Sequence, residues 1–242
     1  TDAYSASSPF LPRIQDKASD TVANYGEVYG GNAVSFDGTN DYIDLDGFKF
    51  SGNQATFSFW VNLNTIETTF LIDLNPNRFI IGLSDPDTHL GVYDGSSWKF
   101  FGALSAGVWS HLVIVLNNTT ASAYVNGSQL GSDQTITAIN VASASACVIG
   151  ANYPPNNYYF DGMMSGVKVF NQALTQDQVR ELYTKPELTL PTGIASSALK
   201  LDMPMQEGSG VAILDGSGNQ NHGTGSGITW ANGQEYGFQH PL

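Results

Sequence analysis

Between turns rich in Gly, Asn and Asp, the chain repeats short segments in which apolar and polar residues alternate or β-branched residues cluster. They fall at 33–36, 42–45, 56–62, 70–73, 78–83, 89–93, 98–103, 109–116, 121–125, 147–149 and 163–170. A period of two sends successive side chains to opposite faces of a strand, so FSFWVNL and HLVIVL each turn a row of bulky residues toward an interior. Roughly a dozen short strands with almost no helical periodicity predict an all-β sandwich or jelly roll.

One segment breaks the pattern. In TQDQVRELYTK, Thr175 and Gln178 have the spacing of a capping box, and Val179, Leu182 and Tyr183 make an apolar stripe. The spacing predicts a helix of two to three turns against the sandwich. After it, residues 185–197 (KPELTLPTGIASS) carry two prolines and small polar residues, as an extended connector does. The expected organisation is an N-terminal extension and degenerate opening strand (1–31), a jelly roll (32–184), a linker (185–197) and a C-terminal arm (198–242).

Composition narrows the partners. Charged residues are only 13% of the 242, and Lys plus Arg number 9 against 22 acidic residues, a net charge of −13. No basic stripe exists to neutralise phosphates, so nucleic acid and anionic membranes are poor partners. No apolar stretch is long enough for a membrane span, and the N-terminus lacks the basic and apolar regions of a signal peptide. Thr1 is a residue type that permits removal of an initiator Met. The single cysteine, Cys147 in ASACVIG, reads as a small buried hydrophobe.

Several segments, in order, resemble laminin-G-like jelly-roll modules of the concanavalin A-like lectin/glucanase superfamily. NAVSFDGTNDYIDL (32–45) is similar to the opening strand pair and TFSFWVNL (56–63) to the strand that follows. WSHLVIVL with AYVNGSQLG (109–131) is similar to the Trp-x-His strand and its hairpin, and residues 148–183 to the closing strand and terminal helix. The resemblance implies a concanavalin A/laminin-G-like jelly-roll β-sandwich with one short C-terminal helix and an appended C-terminal arm. The arm itself, with Asp215, Ser217, Gly218, Asn219, Asn221, His222 and Gly223 in one turn, resembles the beginning of such a module. It either completes the first sandwich or docks on a neighbouring protomer as a donated strand.

Enzymes of this fold commonly hydrolyse glycans with a Glu-x-Asp-x-x-Glu strand. None of the six glutamates (Glu27, Glu67, Glu181, Glu187, Glu207, Glu235) begins that pattern, so the chain is expected not to be an enzyme. The four histidines (His89, His111, His222, His240) show no metalloprotease spacing, and no nucleophile elbow or phosphate loop is present. His111, after a strand Trp, matches the family's packed structural histidine.

Asp37, Asn40, Asp41 and Asp161, in two Asp-Gly segments, could present oxygens to Ca²⁺, as rims of related modules do; Asx turns use the same residues for local hydrogen bonds. Tyr153, Tyr158 and Tyr159 in ANYPPNNYYF, and Trp98 after DGSS, are the candidates for stacking on a sugar or anchoring a partner. Ordinary rim packing is the equal alternative for the tyrosines, and an inward Trp98 is the simpler one for the hairpin.

The expected function is non-catalytic binding or assembly. The first reading is a structural virion protein, such as a phage head decoration or fibre, assembled in the host cytoplasm. It would be a homo-oligomer or bound to other virion proteins, with possible glycan recognition and its ends TDAYS and QHPL packed in the assembly. The alternative is an extracellular or cell-surface carbohydrate-binding module of a bacterium; glycoside hydrolysis is a residual.

Overall fold

The computed structural model describes residues 31–49, 52–75, 79–85, 87–138 and 146–233. The expected opening strand and the two ends of the chain lie outside these residues. In chain order the strands are β1 (Gly31–Asp37), β2 (Tyr42–Asp46), β3 (Gln54–Leu63), β4 (Thr69–Asn75), β5 (Phe79–Ser84), β6 (His89–Asp94), β7 (Trp98–Gly102) and β8 (Ser110–Asn117). Then come β9 (Thr120–Val125), β10 (Ser128–Thr135), β11 (Ala146–Ile149), β12 (Asp161–Phe170), the helix α1 (Gln176–Thr184), β13 (Leu199–Met203), β14 (Ala212–Ile213), β15 (Gly223–Ser226) and β16 (Thr229–Gly233).

The strands form two antiparallel sheets. The first runs β10-β9-β8-β3-β12-β1-β16, with β13 also paired to β12; the second runs β14-β15-β2-β11-β4-β5-β6-β7. Between them lies one core that includes Phe36, Ile43, Phe57, Phe59, Phe79, Leu112, Phe160 and Met164. The buried strands supply that core largely with alternate residues, as in β5, where Phe79, Ile81 and Leu83 point in and Ile80, Gly82 and Ser84 do not. At one lateral edge β7 and β10 meet so closely that a Cβ on Gly131, whose φ is +65°, would strike the Phe101 carbonyl.

β10 was not anticipated from the pattern. SQLGSDQT is almost wholly exposed and polar, as an edge strand must be to discourage further pairing, and its register comes from the turn before it. Asn126 (φ +51°) and Gly127 (φ +75°) adopt the two positive φ angles that a tight hairpin turn requires.

The segment after the linker enters both sheets of its own chain. β13 and β16 join the first sheet and β14 and β15 the second, while Leu201, Met203, Met205, Ile213 and Ile228 complete the core. The turn read from sequence as a module opening ties these strands together. Asp215 accepts from the amides of Asp202, Ser217 and Asn221, and the Asn219 and Asn221 side chains donate to the Leu199 and Lys200 carbonyls. Burial alone would raise the Asp215 carboxyl, but these hydrogen bonds outweigh it and hold it below its ordinary value.

α1 covers the outer face of the first sheet. The Thr175 side chain accepts from the Gln178 amide and the Gln178 side chain accepts from the Thr175 amide, completing the capping box. Val179 and Leu182 are buried against Val113, Val115, Tyr124 and Phe170 in a second apolar cluster. Among the described residues no helix is long and apolar enough to cross a membrane.

Candidate functional site: an aromatic face on the second sheet

The outward positions of β4 to β7 follow from strand alternation. With Leu90 and Val92 in the core, β6 turns His89, Gly91 and Tyr93 outward; with Phe101 in the core, β7 turns out Trp98 and Phe100. A bulge between Phe70 and Ile72 in β4 leaves Leu71 and Ile72 in the core and frees Phe70 for the other face.

Register then aligns these residues in two rows. One runs Ile80, Tyr93, Trp98; the other runs Phe70, Gly82, Gly91, Phe100. The second row alternates nothing: two glycines lie side by side between two phenylalanines. Both glycines are needed for close approach. A Cβ at Gly82 would run into the Thr69 carbonyl, and one at Gly91 would stand 2.8 Å from the Lys99 carbonyl and 2.9 Å from Phe100 Cδ1. The phenylalanine rings therefore lie down on bare backbone.

Trp98 joins the two rows. Its ring centroid is 5.7 Å from Phe70, 5.9 Å from Tyr93 and 5.9 Å from Phe100, the last pair 11° from parallel. Tyr158 comes from the 150–160 loop and stacks on Phe70 at 4.5 Å and 18°. Tyr158 remains 43% exposed and Tyr153 38%, large ring areas for a structure whose other aromatic side chains are mostly sheltered.

Two anchors hold this arrangement. The loop is fixed by the Phe70 amide donating to the Tyr158 carbonyl (3.0 Å), by Thr69 Oγ1 donating to the Tyr159 carbonyl (3.1 Å) and by the Tyr153 amide donating to buried Asp73 Oδ2 (2.9 Å). The hairpin presenting Trp98 is fixed by Asp94. Its Oδ1 accepts from the Ser96 and Ser97 amides and the Ser96 hydroxyl, and its Oδ2 accepts from the Thr137 amide. Burial would raise the Asp94 carboxyl; those bonds prevail and hold it far below the usual carboxylate range.

Of the four aromatic candidates, Tyr158 and Trp98 thus meet on one surface through Phe70, a residue not singled out from sequence. Tyr153 stands exposed on the same loop. Tyr159 is half-buried and contributes its carbonyl. Trp98 faces outward, away from the core. Phe70, Tyr93 and Phe100 were missed because each sits in an ordinary strand pattern; the signal that marks Phe70 and Phe100 is the glycine opposite each in the neighbouring strand, whereas Tyr93 lies between Ile80 and Trp98.

The four candidate calcium residues occupy adjacent turns, with Asp37 paired to Asp161 between β1 and β12. Asp37 Oδ1 accepts from the Thr39 and Asn40 amides, Asp41 Oδ2 from the Asp37 amide, and Asp161 Oδ1 from Asn64 Nδ2. Burial, with the nearby Asp37 charge, pushes the Asp41 carboxyl up despite the Asp37 amide bond. Among the described residues no three His, Cys, Asp or Glu side chains are grouped so that they could hold a metal ion.

The opposite outer face offers no comparable surface around His111. That side chain is 2% exposed, its Nε2 lies 2.8 Å from Ser58 Oγ, and Trp60 and Tyr183 pack over it. Burial, then the Lys168 charge, lowers its pKa to about 3. Cys147 is likewise enclosed, its thiol pushed up by burial and by Asp73 and Asp44.

A family model described as the concanavalin A-like lectin/glucanases superfamily matches residues 37–180, more than half of the chain. The chain belongs to the concanavalin A-like lectin/glucanases superfamily. Its lectin-like sandwich superposes on a protein from Bacteroides ovatus provisionally assigned as carbohydrate-binding, with a TM-score of 0.66 and 20% identity over 84% of this chain. The match spans 60% of that protein's chain. A heptameric SAP-like pentraxin from Limulus polyphemus gives a TM-score of 0.53 at 18% identity, covering 63% of this chain and 82% of its own. Domain 4 of AbnA, an extracellular arabinanase from Geobacillus stearothermophilus solved with arabinotriose, gives 0.51 at 25% identity, covering 62% and 76%. No curated protein matches the sequence. For the first two structures, identities this low bear on the superfamily fold alone.

Proposed function

We propose that the chain is a non-catalytic glycan-recognition module whose binding surface is the aromatic face of Tyr93, Trp98, Phe100 and Tyr158, backed by Phe70, which is itself only 4% exposed. The observation that carries this reading is the pairing of exposed Tyr158 on Phe70 beside outward Trp98. Sugar rings have an apolar C–H face and a polar rim. A flat ring surface on a rigid sheet receives the first, with little side-chain entropy to lose, while neighbouring backbone and Asn groups of the 152–157 loop receive the second. Arabinotriose bound to the arabinanase domain of similar fold adds support, since that domain too is a sandwich of this kind.

Assembly is placed second. The strand donation that motivated a role in particle building is made within the chain, where β13 to β16 pair with β12, β2 and β1 of the same molecule. A structural role in a virion keeps only its compositional argument.

The test is titration of oligosaccharides, arabinotriose among them, against the chain and its Trp98→Ala and Tyr158→Ala variants by calorimetry. Loss of more than about 1 kcal/mol of binding per removed ring is expected, the size that marks truncation of an aromatic anchor at a binding surface. Binding unchanged in both variants would contradict the reading.

A further inference from the structure

We infer that the ligand of the aromatic face is a neutral oligosaccharide, and that acidic glycans are turned away by charge. The inference rests on the glycan-binding reading above and narrows it.

The face is flanked by carboxylates. Following the row of Trp98 across the sheet, the register runs Trp98, Tyr93, Ile80, Asp73, Val148, Asp44, so two aspartates lie on the same side of the sheet as the rings, Asp73 three strands from Trp98 and only 1% exposed, Asp44 five strands away. A third, Asp94, sits in the hairpin immediately before Trp98, and its four hydrogen-bond donors hold it ionised at neutral pH. Asp73 and Asp94 are fixed by backbone amides, so neither swings aside when a ligand arrives.

Positive charge is directed elsewhere. Lys99 separates Trp98 from Phe100 along β7, but it pairs with Val92, a core residue, so alternation turns it from the ring face. Lys168 is paired with Asp202 and Lys185 with Glu181, neither on this sheet. Among the described residues no Lys or Arg occupies an outward position of β4 to β7. The net charge of −13 adds a long-range field of the same sign.

An acidic sugar seated on the rings therefore meets the like charge of Asp94 and, among the described residues of β4 to β7, no outward Lys or Arg. With strands about 4.8 Å apart, Asp73 stands roughly 14 Å and Asp44 roughly 24 Å from Trp98, so Asp94 dominates; one such charge at about 8 Å in water-like surroundings weakens binding by roughly twofold. Salt shortens the reach of that repulsion to about 3 Å at 1 M, so the handicap should fade as salt rises. Binding of a neutral sugar has no such dependence.

The experiment is calorimetric titration of the chain and Trp98→Ala with neutral ligands (arabinotriose, cellotriose, lactose) and acidic ones (trigalacturonate, sialyllactose), in low and high salt. The expected result is Trp98-dependent binding of a neutral ligand, with acidic ligands at least about twofold weaker in low salt and the gap narrowing in high salt. Acidic ligands bound through Trp98 as tightly as neutral ones in low salt would overturn the charge inference and leave the glycan-binding reading standing. Binding of neither class would overturn both.

Discussion

Asn32 and Gln206, 174 positions apart, hold one another through three hydrogen bonds. Asn32 belongs to β1 and Gln206 follows β13, and Ser165 of β12 donates to the carbonyls of both Asn32 and Pro204. The three contacts mark a joint. β1 pairs with one half of β12 and β13 with the other, so two strands from distant parts of the chain share one strand's edge.

If β13 completes the core, its apolar residues should matter as core residues do. Leu201 is 1% exposed. Leu201→Ala should cost about 2–5 kcal/mol in urea unfolding of the full chain. A loss below about 1 kcal/mol would show that the segment merely rests on the sandwich.

His111 supplies a pH dependence whose sign follows from burial. Its folded value of about 3 lies below the ordinary 6.5, so the unfolded chain takes up the proton first. The stability from neutral His111 is whole above 6.5 and declines as pH falls toward 3, by at most about 1.4 kcal/mol per pH unit. Unfolding midpoints measured from pH 7 to 5 should fall for the chain and stay nearly level for His111→Gln. The upper half of the window is chosen because the carboxylates with lowered values, Asp94 and Asp215, lose their contribution only below the ordinary carboxylate range.

Asp94 connects stability to binding. Asp94→Ala leaves the Ser96, Ser97 and Thr137 amides without their acceptor, a cost of about 2 kcal/mol. Because the same turn positions Trp98, oligosaccharide affinity should drop as well. Asp94→Asn, which keeps one acceptor oxygen, should recover part of both. Equal damage to affinity in the two variants would detach the turn from ligand binding.

Metal removal separates this account from a rim-calcium mechanism. With Asp37, Asp41 and Asp161 each accepting from protein donors, EDTA treatment should leave oligosaccharide affinity and melting temperature unchanged. A fall in either, restored by Ca²⁺ and absent in Asp161→Ala, would return calcium to these turns.

Much of the fold was legible because its segments obey local rules. Alternation marked the buried strands β3 and β8, and Thr175 with Gln178 announced α1. β10 escaped because a polar edge strand has no apolar face to display. The destination of the C-terminal segment was left between two places because residues such as Leu201 and Ile213 state that they must be buried, not against what; only the register with β12 and β15 decides it. The site was half visible. Tyr153, Tyr158 and Trp98 stood out as aromatics near turns, whereas Phe70, Gly82, Gly91 and Phe100 form a row only through pairing across four strands, a relation between positions up to 30 residues apart along the chain.

The most direct measurement is NMR mapping of backbone amide and tryptophan indole shifts during titration with an oligosaccharide that binds. The account predicts that the largest changes fall on the Trp98 indole and on the amides of Gly82, Gly91, Phe100 and Tyr158, with the 37–41 turn undisturbed. Shifts concentrated at Asp37, Asn40, Asp41 and Asp161, with the aromatic face silent, would contradict it.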